Sequence, residues 1–297
     1  MVCTNIPRPI MPTIILQLIA GSDVANIKTT AERRSDHYLV NGSKKWITNA
    51  IWADYVTAAV RTGSPGAGGI SLLIIPLQAS GVTRRRMHNS GVGASGSTFI
   101  TFEDVVVPLE NLLHKENRGF EVIMSNFNAE RKSIATGAIR LSRVCAEDAW
   151  SHACSRETFG HKLIENPIIR AKFVTMGRMI EPAQAFLEQL TWLIELSRRA
   201  GGRDGDGVRI GGMTAMLKVV STRCLEKCVR EAQQVMGGLG YARGGKGGRF
   251  ECVCCVRRPA NTVLGSRQSQ EMSESWPLVS LNDVFCVDTK YSVKNKY

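Results

Sequence analysis

Glu130 and Arg131 are adjacent residues whose types suit acid–base chemistry. Glu130 lies one helical turn before a series of apolar residues spaced by four, three and four positions, which together would form one face of a helix. A carboxylate on such a face loses hydration, which raises its pKa and strengthens it as a general base. The apolar residues of this face are Ile134, Ala138, Leu141 and Cys145.

On the residues alone, a structural role is the default interpretation of Glu130. The helix dipole favours a glutamate in the first turn of a helix, and Asn126 or Asn128 would serve as the N-cap. Two interpretations of Glu130 therefore stay open at this point, a catalytic base and a charge at a helix terminus.

Residues 37–50 form the second group of interest, and they predict a β-hairpin. Asn41-Gly42 supplies two residues that tolerate positive φ between two strand-like runs. In such a hairpin, Trp46 would be a buried strand aromatic. Spacing alone therefore indicates a hairpin and no ligand.

Short strands punctuated by glycine and proline predict a compact β-barrel or β-sandwich over residues 37–110. From Gly119 the apolar period changes to that of helices, and three long helices with short links predict an antiparallel bundle that ends at Gly237-Gly238. The predicted fold class is therefore α+β, a β-barrel or sandwich domain followed by an antiparallel helical bundle. The strands after the hairpin are predicted at residues 55–62, 70–75 and 98–107.

The second and third helices are predicted from their apolar faces. The second has the longest regular face, with Pro182 as a point where the helix could bend. Its residues are Ile169, Phe173, Met176, Ile180, Ala183, Leu187, Leu190 and Ile194. The face of the third helix consists of Leu217, Val220, Cys224 and Cys228.

The composition bounds the class of protein. The 297 residues are 43% hydrophobic and 22% charged, which is ordinary for a globular protein, and no apolar run is long enough to span a bilayer. A net charge of +12 is compatible with nucleic acid, an anionic membrane or a phosphate-bearing cofactor. Because no nucleic-acid-binding module is recognisable, we expect no nucleic-acid partner.

The nine cysteines indicate reduced thiols and not a disulfide framework. Cys224 and Cys228 lie on an apolar helical face and are expected to be core thiols. The cluster of Cys252, Cys254 and Cys255 matches no common zinc spacing, so no metal site is expected.

Residues 21–249 resemble the acyl-CoA dehydrogenases, with the elements in that family's order. The most specific phrase is Asn-Gly-Ser-Lys-Lys-Trp-Ile-Thr-Asn at 41–49, preceded by Gly-Ser-Asp-Val-Ala at 21–25. The resemblance implies that 1–115 form the family's middle β-domain, N-terminally truncated, that 116–250 form its C-terminal helical domain, and that 251–297 are a divergent, poorly ordered tail. Further matching segments are 99–108, 116–120, 126–131, 156–160 and 234–241.

The resemblance implies FAD as the cofactor, bound in part by the β-domain. Ser22 would contact the flavin pyrophosphate, which suits a glycine-rich backbone near an anion. Trp46 and Ile47 would belong to the wall against which the flavin lies, and Thr48 would hydrogen-bond at the N5 edge.

Two further segments resemble those that reach the FAD of a neighbouring subunit, so the resemblance also implies a homo-oligomer. Arg156 would meet the pyrophosphate, and Phe159 would pack on the cofactor. Gln234, Gly237 and Gly238 would lie near the adenosine. A Gly-Gly-x-Gly run is by itself only a weak signal.

The resemblance favours the catalytic interpretation of Glu130. One group within the family, including the isovaleryl and long-chain enzymes, carries its catalytic glutamate at this early helical position with an arginine after it, and Glu130-Arg131 match that pattern. Asn128 and Arg131 would then bind and orient the acyl-CoA substrate.

The expected function is FAD-dependent α,β-dehydrogenation of an acyl-CoA thioester in fatty acid metabolism, with electrons passing to an electron-transfer flavoprotein or a similar acceptor. The family's first helical domain and its final flavin loop have no clear counterpart in the sequence. The alternative is therefore a non-catalytic, truncated remnant that acts as a binding or dimerisation module. The expected location is intracellular, whether mitochondrial, cytoplasmic or peroxisomal.

Overall fold

Eight strands form one mixed β-sheet in the first part of the computed structural model. The order along the sheet is β6-β7-β3-β2-β4-β5-β8, with β1 parallel to β4. The strands are β1 Thr13–Ile15, β2 Thr30–Arg33, β3 His37–Ile47, β4 Tyr55–Arg61, β5 Ile70–Pro76, β6 Val82–Arg86, β7 Thr98–Pro108 and β8 Leu112–Leu113.

The structure describes residues 13–15, 23–89, 93–199 and 208–242. The chain divides between Asn126 and Phe127 into two compact units, here called the β unit and the helical unit. Ser22 and the tail predicted at 251–297 lie outside the described residues.

The apolar side chains of the sheet meet in one core. Buried residues from strands far apart in the sheet order, such as Phe102 and Val105 of β7 and Leu73 and Ile75 of β5, belong to the same cluster. The sheet must therefore curl around its apolar face, which agrees with the predicted β domain.

The hairpin predicted at Asn41-Gly42 is wrong, because both residues lie inside the continuous strand β3. The turn occurs earlier, where the backbone NH of Arg34 donates to the carbonyl of His37 over 2.8 Å and β2 pairs antiparallel with β3. Strand β2 was not predicted, since it is short and polar and only Ala31 is buried in it.

Between Val40 and Gly42, one residue of β3, Asn41, lies opposite Glu103 and Asp104 of β7, so the β-bulge is in β7 and faces Asn41-Gly42. Gly42 has a φ of 132°, and a Cβ at this position would lie 2.9 Å from the Cα of Thr29. Asn41 secures the bulge, because its amide side chain donates to Asp104 Oδ1 and accepts from the Asp104 backbone NH, each over 2.8 Å. Gly42 does adopt a positive φ, as its residue type allows, but it does so within a strand beside a bulge and not in a turn.

Lys44, in the same strand, points into the interior and has 1% of its surface exposed. Its Nζ donates to the carbonyl of Ala59 on β4 over 2.5 Å. Burial lowers the pKa of Lys44 to about 7, because the charged amine loses its hydration.

Three long helices build the helical unit: α1 Gly119–Ser155, which begins in the β unit, α2 Pro167–Arg199 and α3 Val208–Met236. One cluster joins Ala135, Leu190 and Leu217, and a second lies further along α1. From the first cluster to the second, residue numbers increase along α1 and α3 and decrease along α2, so α2 runs antiparallel to both helices. The second cluster includes Ala149, Met176, Ile180, Val229 and Ala232.

The predicted face of α2 is confirmed, with Met176, Ile180, Ala183 and Leu190 buried. On α3 the prediction is right for Leu217 and wrong for Val220, which is 41% exposed. Cys224 and Cys228 are buried free thiols, as predicted. Gly237 ends α3 with a φ of 59°, which confirms the predicted stop.

Among the helices described, none is long and apolar enough to cross a membrane. Within the described ranges, no group of three or more histidine, cysteine or acidic side chains is placed to hold a metal ion. The cysteine cluster at 252–255 is not among these residues.

Gly42→Ala should destabilise the protein by about 2 to 4 kcal/mol, since the new methyl group would collide with the Thr29 backbone and force an L-residue to positive φ. Urea unfolding followed by intrinsic fluorescence measures the change. Gly68→Ala is the matched control, because a Cβ there meets no atom within 4 Å. Equal stability of the two variants would contradict the bulge geometry.

Lys44→Met should remove a pH dependence of stability. The unfolded lysine keeps its proton up to its ordinary pKa of 10.5, whereas the folded one releases it near pH 7. Between these values the unfolded state binds more protons, so stability should rise with pH, with a slope of up to about 1.4 kcal/mol per pH unit. Unfolding at several pH values tests this, with exposed Lys45→Met as the control that keeps the slope.

Candidate functional site

A second bulge, this one in β3, turns Trp46 out of the sheet. Lys44 pairs with Ile100 and Ile47 pairs with Thr98, so one extra residue is inserted on β3. Trp46 occupies the bulge at a φ of 66° and is 53% exposed. The buried hairpin position considered for this residue is therefore wrong.

The residues after Trp46 alternate between core and surface. Ile47 is fully buried in the β core, so only its backbone could contact a ligand. Thr48 is exposed in the turn that follows β3. The positive φ of Trp46 is uncommon for a bulky residue, and such strained conformations concentrate at functional sites.

A second exposed tryptophan lies in the same turn region. Trp52 is 48% exposed, and Gly96 makes room for it, since a Cβ there would lie 2.2 Å from the indole ring. Cations accompany both indoles: Lys45 Nζ is 5.0 Å from the Trp46 ring centroid, and the Arg86 guanidinium is 5.5 Å from that of Trp52. Exposed aromatic faces with adjacent positive charge suit a planar, anionic ligand.

The first residues of α1 in the helical unit carry the predicted base. The Glu130 side chain is exposed, so the protein alone does not desolvate it as the apolar face had predicted. The buried stripe of α1 passes one position beyond Glu130, at Arg131, and advances in steps of four and three. Its members in the helical unit are Phe127, Arg131, Ala135, Ala138, Ser142, Cys145 and Ala149.

Arg131 is only 8% exposed, and its guanidinium carbon lies 5.7 Å from the centroid of the Phe127 ring. Burial lowers the pKa of Arg131, while the neighbouring Glu130 carboxylate acts in the opposite direction. Asn128, the other residue predicted to bind substrate, is half-buried beside Gly211 of α3.

Lys218 of α3 belongs to this region and was missed by sequence reasoning. It is 1% exposed, and burial together with the positive charge of Arg131 lowers its pKa to about 8. Its spacing from buried Thr214, Ser221 and Leu225 follows a helical period, which was the available signal. Because a lysine in a sequence normally indicates a solvated helix face, the buried face of α3 that contains Lys218 was not recognised.

The segment predicted to reach a neighbouring cofactor is a short hairpin after α1. Strands β9 Glu157–Thr158 and β10 His161–Lys162 pair antiparallel, and Phe159-Gly160 form the turn at φ values of 55° and 78°. The Phe159 side chain is completely exposed, and Arg156 beside it is exposed as well.

The end of α3 lies at the same end of the helical unit as this hairpin. Met236 shares a cluster with Ala153 near the end of α1 and with Leu163 just after the hairpin. Gln234 in the last turn of α3, and Gly237 and Gly238 just after it, are exposed. That cluster therefore brings the two segments predicted to contact a neighbour's FAD to one end of the unit.

Glu130 lies far from that end. It precedes Arg156 by 26 residues along α1, which corresponds to about 39 Å of helix. The predicted site residues of the helical unit thus form two separate groups. One contains Asn128, Glu130 and Arg131, and the other contains Arg156, Phe159, Gln234, Gly237 and Gly238.

Two family models match the sequence. "Acyl-CoA dehydrogenase, middle domain" matches residues 19–105, and "Acyl-CoA dehydrogenase, C-terminal domain" matches residues 117–253. Among relatives, the Acyl-CoA dehydrogenase AFT10-1 of Alternaria alternata is 47% identical over 86% of this chain, and the Acyl-CoA dehydrogenase apdG of Emericella nidulans is 44% identical over 79%. The aligned parts are 58% and 53% of those proteins, so the chain spans little more than half of their length.

Solved structures give the same result. A probable acyl-CoA dehydrogenase from Mycobacterium abscessus superposes with a TM-score of 0.78 at 36% identity, covering 89% of this chain and 67% of that one. The butyryl-CoA dehydrogenase of Megasphaera elsdenii superposes with a TM-score of 0.77 at 26% identity, covering 88% and 66%. This chain therefore belongs to the acyl-CoA dehydrogenase family, whose members are flavoproteins and oxidoreductases of the dehydrogenase type.

Proposed function

We propose that this chain binds FAD and an acyl-CoA thioester and takes part in α,β-dehydrogenation of the acyl group. The observation that carries the proposal is the outward bulge of Trp46, since an aromatic residue held at positive φ and half-exposed has no role in the β core. Family membership supplies the reaction class.

The residues of the β unit fit one face of a flavin. Trp46 offers an exposed indole for stacking, and the exposed Thr48 hydroxyl two residues later offers a hydrogen bond. Ile47 would contribute its backbone, because its side chain is buried. Ser22 is proposed as a phosphate contact on the resemblance alone.

The second group of residues fits the cofactor of another copy. Phe159 exposes its whole ring, Arg156 offers an exposed guanidinium for a phosphate, and Gly237-Gly238 present a surface without side chains beside Gln234. A fully exposed phenylalanine is unfavourable in water, which supports a homo-oligomer in which a partner covers it.

Glu130 is proposed as the base that takes the α-proton of the acyl group. Its exposed carboxylate is accessible to a ligand, and a bound acyl chain would exclude water from it, which strengthens a carboxylate as a base. Arg131 and Asn128, which flank it on α1, are proposed to orient the thioester or the CoA moiety.

FAD, when bound, supplies the acceptor for the β-hydride, and an electron-transfer flavoprotein or a similar protein would be the next electron acceptor. The chain's own contribution is then limited to three tasks: it stacks the ring on Trp46, positions the thioester, and moves one proton to Glu130.

Glu130→Gln should lower the rate of flavin reduction by about 10²- to 10⁴-fold, because the amide keeps the shape of the side chain and cannot accept the proton. The protein reconstituted with FAD is mixed anaerobically with a series of acyl-CoA substrates, and bleaching of the flavin absorbance is followed. Glu147→Gln, an exposed glutamate further along α1, is the control and should reduce flavin at the unaltered rate.

Three results would contradict the proposal. Failure of the unaltered protein to acquire a flavin spectrum would exclude the cofactor assignment. A flavin-loaded protein that no acyl-CoA bleaches would favour a binding or dimerisation module. Equal rates for Glu130→Gln and Glu147→Gln would exclude Glu130 as the base.

Phe159→Ala should weaken FAD binding by about tenfold or more and reduce self-association, because the ring would lose its contact with a neighbour's cofactor. Stability of the isolated chain should not change, since the side chain is fully exposed. Fluorescence titration with FAD and sedimentation velocity measure the two effects. Trp192→Ala, an exposed aromatic on α2, is the control, and equal FAD affinity for both variants would contradict the assignment.

A further inference from the structure

The ammonium group of Lys218 is enclosed in the helical unit without a partner. Lys218 is 1% exposed, and its Nζ has no hydrogen-bond partner among the residues that the structure describes. An amine carries three donors when protonated, and a buried charge without a counter-charge is strongly unfavourable. Such a group indicates an acceptor that is not one of these residues.

Neighbouring hydroxyl groups do not supply that acceptor, because no hydrogen bond joins the Lys218 Nζ to them. Thr214 and Thr222, one turn before and one turn after Lys218 on α3, donate their own protons to the carbonyls of Ile210 and Lys218. The apolar residues of α2 that pack in the cluster with Leu217 offer no acceptor. They are Phe186, Leu187, Leu190 and Ile194.

Arg131 adds a second buried cation to the same region. It is 8% exposed, and Ala135, one turn further along α1, packs in the same cluster as Leu217, the neighbour of Lys218. Its charge also lowers the pKa of Lys218. Glu130 is the carboxylate that acts on Arg131. Two cations and one carboxylate leave one positive charge, which a single monoanion would balance.

We propose that Lys218 and Arg131 form a binding site in the helical unit for one small carboxylate. A guanidinium binds a carboxylate through two parallel hydrogen bonds, and an ammonium group can donate a third to the same oxygens. The almost complete burial of Lys218 restricts the ligand to a small one. Lys218 is a binding residue in this assignment and is not part of the proton transfer proposed for Glu130.

The inference shares Arg131 with the proposed substrate contacts but does not rest on the proposed function, because carboxylate binding is measured without flavin or acyl-CoA. A carboxylate at this position could be a free organic acid or the acid end of a longer ligand. Both offer the same chemistry, and acetate serves as the probe for it.

Sodium acetate should raise the thermal unfolding midpoint of the full chain along a saturating curve, by on the order of 5 °C when acetate greatly exceeds its Kd. The titration is made near pH 6.5, with ionic strength held constant by sodium benzenesulfonate, whose anion is larger than acetate. Lys218→Met should abolish the saturating rise, whereas Lys132→Met, a partly exposed lysine on α1, should keep it.

A second titration uses only the unaltered protein and so does not depend on the folding of a variant. The acetate effect should fade as the pH rises above about 8, where Lys218 loses its proton while Arg131 keeps its charge. Glutarate and succinate, compared with acetate, distinguish a ligand with an extended chain from a small acid.

Four results would overturn the proposal. They are the absence of a saturating acetate effect, an effect that Lys218→Met retains, an effect that is the same at pH 6.5 and pH 9.5, and an equal effect of chloride at the same concentration. None of these bears on flavin reduction, so failure here and failure of the proposed function are distinguishable.

Discussion

The pairing of β3 with β7 is the constraint on which the β unit depends. Eleven residues of β3 must run beside β7 while the strand passes within contact of Thr29 and turns Trp46 outward before Ile47 pairs again with β7. Two bulges solve this conflict. The first uses glycine and the Asn41–Asp104 hydrogen bonds, and the second places a tryptophan at positive φ between buried Lys44 and buried Ile47. The orientation of the exposed indole is thus set by core packing on both sides of it.

In the helical unit, buried charged residues and not backbone strain accompany the exposed side chain of the proposed base. After Phe127 and Arg131, the buried stripe of α1 continues with small residues, and α3 places Lys218 near Arg131. Small side chains allow close packing, and the long cationic side chains extend within it. Glu130, one position away from the stripe, is left at the surface with a cation behind it. The arrangement separates an accessible carboxylate from an inaccessible positive charge.

Much of the fold could be predicted from the sequence, and the failures have physical causes. The long period of α2 is unambiguous, and Gly237 stops α3 because it adopts positive φ. The hairpin at Asn41-Gly42 failed because tolerance of positive φ does not distinguish a turn from a bulge, a choice made here by the distant residues Thr29 and Asp104. The exposure of Glu130 was mispredicted because Ala135 and Ser142 contribute little apolar signal, although they define the buried face. The stacking role proposed for Trp46 came from resemblance, since the exposure of its side chain depends on a one-residue register shift that periodicity cannot detect.

The length of α1 has a consequence for mixtures of altered chains. About 38 Å of this helix separates Glu130 from the end beside which Phe159 lies, so a ligand much shorter than that cannot touch both in one copy. A complete site that uses both groups must then combine two copies. Chains defective at only one end would complement chains defective at the other, and a co-assembled population would contain some intact sites and some doubly damaged ones. The activity of a mixed population would therefore depend on which chains assemble with each other, as well as on the substitution that each chain carries.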